Sequence, residues 1–132
     1  MNRDFGEIIK ENPQRLRILE IRAASMGYLT LRLTIFVSDY PKREFSVLEI
    51  LCRNAVDYII KPPNPGILEG GPLIELHEQH KLLNDPGLQC KPNQDDGEKF
   101  NPPLQLKVLI LDQSYVIAER FEIAERTEPI LH

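Results

Sequence analysis

The side chains in this sequence best suited to chemistry are His77 and His80, close together in the run His77-Glu78-Gln79-His80. Neutral imidazoles bind transition metals, and Glu75, Asp85 or Cys90 would add the oxygen or sulfur ligands such a site needs. The spacing works against an easy site. Zinc-protease histidines stand four apart on a helix, with a catalytic Glu directly after the first; here the second ring is displaced by one position, and on a strand the two rings would point to opposite faces. A metal or small-molecule site at His77 and His80 is therefore one expectation, and a pair of solvated or turn histidines is the plainer one.

Other reactive types lack their companions. Asp95, Asp96 and Glu98 surround Gly97 but do not follow the EF-hand loop pattern, so they predict a solvated acidic loop. Glu119, Glu122, Glu125 and Glu128 form an acidic trail partly balanced by Arg120 and Arg126, as on the wet face of a last strand. Neither Ser46 nor Ser114 sits in a nucleophile elbow, and Cys52 has no evident base. Glu69-Gly70-Gly71-Pro72 places a proline where a phosphate loop needs backbone donors. No cofactor and no catalytic group is predicted.

Composition narrows the function classes further. The chain has 132 residues, 42% of them apolar and 27% charged, which suits one ordinary globular domain over 1–132. No apolar stretch approaches a membrane span, and the N-terminal residues lack the core of a signal peptide, so the expectation is a soluble, cytoplasmic protein. Two cysteines are too few for a disulfide framework. Residues 1–61 hold ten Lys/Arg against eight Asp/Glu and residues 62–132 six against twelve, a split of +2 and −6. Basic residues scattered singly do not make the positive patch that nucleic-acid binding needs. The partners left are proteins, including a second copy of the chain.

The elements that must position any site follow from periodicity. Phe5, Ile8 and Ile9 at helical spacing, stopped by Asn12-Pro13, predict a short N-terminal helix over 2–11. Nearly strict alternation at 29–37 predicts an antiparallel strand with one wet face, and because Ser25-Met26-Gly27 supplies a glycine able to adopt positive φ, 16–23 and 28–37 pair as a first hairpin. The segment 45–61 reads either as strands 46–52 and 56–61 or as one helix with a stripe through Phe45, Leu48 and Leu51, and its β-branched residues favour strands. Within it, Ala55-Val56-Asp57-Tyr58-Ile59-Ile60-Lys61-Pro62 is similar to the end of the fifth strand of response-regulator receiver domains, whose lysine contacts the phosphorylated aspartate. A receiver also needs an acidic pair after its first strand and a remote acceptor. Asp39 lies too close to Lys61 to be that acceptor, so the likeness is local and no family is assigned.

Residues 73–77 read as a short strand, and 84–103 as a Pro/Gly/Asp-rich mobile loop. The stretch 104–124 reads as a central hairpin around a three-residue turn at Asp112-Gln113-Ser114. The predicted architecture is mainly β: a single antiparallel sheet or open β-sandwich of five to seven strands with a short N-terminal helix, the alternative being α+β with a helix at 45–61. Near its turn the hairpin is apolar on both faces, and the N-terminal helix is the candidate cover. Uncovered, Leu109, Leu111 and Val116 would form an interaction patch. The functional expectation is a binding or protein-interaction module without catalysis, its specific version inhibitor- or immunity-like, with the histidine site or a structural role in a homo-oligomer as alternatives.

Overall fold

The computed structural model describes residues 3–11, 16–39, 44–63, 72–91 and 97–124. Their organising element is a three-stranded antiparallel meander of β2 (Leu16–Gly27), β3 (Thr30–Asp39) and β4 (Glu44–Arg53). Alternation in β3 sends Leu31, Leu33, Ile35 and Val37 into the core, each at most 1% exposed, while Arg32, Thr34 and Phe36 line the other face. β4 pairs along the whole of β3, from Thr30↔Arg53 to Asp39↔Glu44. In this register Ile50 and Cys52 face the core, and Phe45, Val47, Glu49 and Leu51 share the opposite face with Arg32, Thr34 and Phe36. The 45–61 segment is therefore strand, because a helical stripe would have left Val47 and Ile50 without cover.

The turn of the first hairpin falls later than expected. β2 continues to Gly27, and Tyr28-Leu29 make the reversal, with Leu29 rather than Gly27 at positive φ (55°). The Leu29 carbonyl accepts the Ala55 N–H at 2.9 Å, a contact that ties the turn to the end of β4. Two irregularities in the β2–β3 ladder, at Ile18/Glu20 and Ile21/Ala23, bend β2 as bulges do.

A second sheet has the order β5-β8-β7-β6, from β5 (Asp57–Ile59), β8 (Ser114–Ala118), β7 (Lys107–Leu111) and β6 (Ile74–His77). The β7–β8 hairpin is its central pair, as its hydrophobicity predicts. Its turn has two residues, Asp112-Gln113, with Asp112 at φ 61°, and Ser114 belongs to the strand. That serine is only 1% exposed: its hydroxyl accepts the Lys61 N–H at 2.7 Å and donates to the Lys61 carbonyl at 2.9 Å, prolonging the β5–β8 pairing by a side chain.

The second apolar run of 104–124 is not one strand. β8 ends at Ala118, and β9 (Arg120–Ile123) joins the first sheet, whose order is β1-β9-β4-β3-β2 with β1 at Arg3–Asp4. β4 passes into β5 at the same place, so two paired strands turn a corner together and link the sheets. At that corner Asn54 takes φ 55°, the Glu119 N–H donates to the Arg53 carbonyl at 3.0 Å, and the Val56 N–H donates to the Ile117 carbonyl at 2.9 Å. Splitting these strands, and adding the two-residue β1, raises the count among the described residues to nine.

The helix α1 (Phe5–Glu11) buries Phe5, Gly6, Ile8 and Ile9. Asp4 caps it, its Oδ1 accepting the Gly6 N–H at 2.7 Å. A Cβ on Gly6 would meet Leu76 Cδ2 at 2.8 Å, so α1 lies against β6 as closely as a glycine permits. Phe5, Ile8 and Ile9 share one buried cluster with Leu109, Leu111 and Val116, and those three hairpin residues are fully buried rather than an exposed patch. The other hairpin face, with Val108 and Ile117, is covered by Leu82, Leu83 and Leu88 from two 3-10 turns, Lys81–Asn84 and Pro86–Gln89. Leu88 comes from the 84–103 stretch expected as a mobile loop. Within that stretch Gln89 also exchanges two hydrogen bonds with Leu104, at 2.8 and 2.9 Å, and Cys90 bridges to Lys99.

Candidate functional site

His77 ends β6, and the bend at Glu78-Gln79 returns the chain so that the His77 and His80 rings lie 5.5 Å apart, tilted by 50°. The fear that a strand would splay them does not apply, because the strand stops between them. Each ring has its own task. His77 Nε2 is 3.2 Å from Glu75 Oε1, its neighbour on the same strand face, and His80 Nδ1 accepts the Leu82 N–H at 3.1 Å, capping the first 3-10 turn. Asp85 caps the second turn through Gly87 N–H at 2.8 Å, and Cys90 lies beside the β2–β3 turn. Among the described residues no three His, Cys, Asp or Glu side chains gather as a metal would require.

Glu78 is drawn away from the histidines. Its carboxylate accepts from Lys10 Nζ of α1 at 2.9 Å, a bond that holds the Glu78 carboxyl below, and the Lys10 ammonium above, its ordinary range. Glu98 meets Lys91 at 3.4 Å and Glu122 meets Arg53 at 2.7 Å as ion-pair partners, while Glu119 accepts from the Asn54 side chain at 2.9 Å. Asp95, Asp96, Glu125 and Glu128 lie outside the described residues. Burial pushes the Cys52 thiol up to about 12, which removes it as a nucleophile near neutral pH. No helix among the described residues is long and apolar enough to cross a membrane.

A different place, unmarked by any motif, holds an open apolar cleft. Met26 stands opposite Leu31 and Ala24 opposite Leu33, so all four point to the inner face of the first sheet. Leu31 and Leu33 are 1% and 0% exposed, yet Met26 is 43% exposed. The second sheet therefore stops short of the far half of β2, and the core continues there as an open surface. Tyr28, 70% exposed, and Tyr58 on the edge strand β5, 39% exposed, line a cleft of about 260 Å³ together with Met26, Ala55, Val56 and Cys90. Tyr115 donates to Asp57 Oδ2 at 3.0 Å and so fixes the start of β5; burial first, and this hydrogen bond second, raise its phenol above the ordinary range.

The described lining of the cleft carries no charged side chain, and two tyrosines contribute to it. Sequence reasoning passed over Met26, Tyr28 and Tyr58. One signal was present: Tyr28-Leu29 is an apolar pair at a reversal, where polar turn residues are the rule. No protein family, curated protein or solved structure matches the chain.

Proposed function

We propose that the protein is a small cytoplasmic binding module that acts without catalysis, receiving a protein partner at the open end between the β2–β3 turn and β5. The observation that carries this reading is Met26, 43% exposed beside a fully covered Leu31. Exposed apolar side chains grouped around a cleft mark interaction sites more often than singly scattered ones do. Two free cysteines are in keeping with a reducing compartment. The negative balance of residues 62–132 would steer a basic partner, as in an inhibitor or immunity protein. The test is affinity capture from native lysate with the wild-type chain and with a Tyr28→Ser/Tyr58→Ser variant of equal melting temperature. A partner held by the first and lost by the second supports the reading, and a partner held equally by both removes it.

A second reading, a metal or small molecule held by His77 and His80, draws on the 5.5 Å approach of their rings. Elemental analysis of the untagged protein tests it. Stoichiometric metal supports the site; substoichiometric metal, with a melting temperature indifferent to added zinc, dismisses it.

A further inference from the structure

Among the described residues β2 is an edge strand, and only its beginning is covered: Ile18 N–H donates to the Pro72 carbonyl at 2.8 Å, and Arg17 bridges to Leu73. Beyond that point no described strand pairs with its outer side. Sheets protect such edges with bulges, charges or proline. β2 has both bulges and both of its exposed charges, Glu20 and Arg22, before Ala23. From 23 to 27 the sequence Ala-Ala-Ser-Met-Gly is small, uncharged, free of proline and exposed throughout. At its end, Met26 and Gly27 of this edge also line the cleft.

The geometry points to an extended peptide segment of a protein partner, added as a further strand along residues 23–27 of β2 with one large apolar side chain seated in the cleft. A strand laid beside β2 turns alternate side chains to the same side as Ala24 and Met26, which is the side facing Tyr58 and Cys90. Main-chain hydrogen bonds would supply affinity and the cleft the choice of residue. Size selects this occupant over others. The cleft, at about 260 Å³, is below the roughly 300–1,000 Å³ of small-molecule pockets but accommodates one Leu, Met or Phe side chain. Five residues of edge span about 17 Å, too short a seam to bury the roughly 1,200–2,000 Å² of a stable interface with a second folded copy.

This inference rests on the open end being a docking surface, and the experiment separates the two. Blocked heptapeptides Lys-Thr-X-Thr-X-Thr-Lys, with X as Leu, Met or Phe, are added to isotope-labelled protein at up to about 1 mM, the affinity range of a weak peptide contact. Amide exchange and chemical shifts are then read by NMR. At least one peptide is expected to slow exchange at 23–27 about tenfold or more and to shift Tyr28 and Tyr58. N-methylation of alternate peptide amides should abolish the protection, and X as Ser should weaken binding at least tenfold. The Met26→Lys variant should do the same without a change in melting temperature. Shifts at Tyr28 and Tyr58 without protection of 23–27 overturn strand addition and leave the docking surface standing. No response to any of the three peptides overturns the inference, and protection of 23–27 that appears without peptide and grows with protein concentration assigns the edge to a second copy instead.

Discussion

Asn54 and Glu119 meet at the corner where two paired strands leave one sheet for the other, the Asn54 Nδ2 donating to Glu119 Oε1 at 2.9 Å. Asn54 tolerates the left-handed conformation, at φ 55°, better than most residues, and its side chain holds the opposite strand at the same bend. Asn54→Ala should lose both advantages and cost about 1–2 kcal/mol, whereas Asn54→Gly loses only the hydrogen bond and should cost about half as much. Urea denaturation gives the comparison. Equal destabilisation by the two variants would remove the conformational part of this account.

Ser114 satisfies both backbone groups of Lys61 from a buried position. Ser114→Ala leaves that N–H and carbonyl without their partner and should destabilise by about 1–2 kcal/mol. Amide exchange at Lys61 should rise with it. An unchanged exchange rate there would show that the hydroxyl is dispensable.

The two thiols should separate cleanly. Cys52 is fully buried with its pKa pushed up to about 12, whereas Cys90 sits partly exposed at the cleft. A disulfide reagent at pH 8 should titrate one thiol per chain in the native state and two in denaturant. Modification of Cys90 should also shift Tyr28 and Tyr58 resonances, since all three border the cleft. Two fast thiols in the native protein would contradict the burial of Cys52.

The Lys10–Glu78 pair joins α1 to the bend after β6. Because the Glu78 pKa is lowered on folding, its contribution is present above the carboxylate's unfolded value and fades as pH falls through it; because the Lys10 pKa is raised, its contribution is present below the ammonium's unfolded value and fades as pH rises beyond it. Both groups are open to solvent, so the effect on stability is small and salt-sensitive. In Lys10→Met the Glu78 carboxyl should titrate at higher pH than in the wild type by NMR. An unmoved Glu78 titration would show that the pair does not form in solution.

Strands with strict alternation are legible in the residue order alone. Leu31, Leu33, Ile35 and Val37 announce β3, and the two apolar runs around Asp112 announce the central hairpin, because a period of two needs no knowledge of the partner. The β-branched residues of 45–61 likewise decided strand over helix. The corner was hidden in a change of parity: Val116 and Ala118 face the main core, and so do Phe121 and Ile123, a slip of one position at Glu119. A slip of this kind looks in sequence like a strand apolar on both faces; only the pairing of β8 and β9 with different sheets distinguishes the two.

Tertiary structure alone decided the sites. His77 and His80 come together because β6 ends between them, and Met26 lies open because the second sheet, which meets β2 at Arg17, stops short of its far half. Met26 and Leu31 are both apolar and both point inward. What separates them is the extent of the opposite sheet, a property of distant residues that no local pattern records.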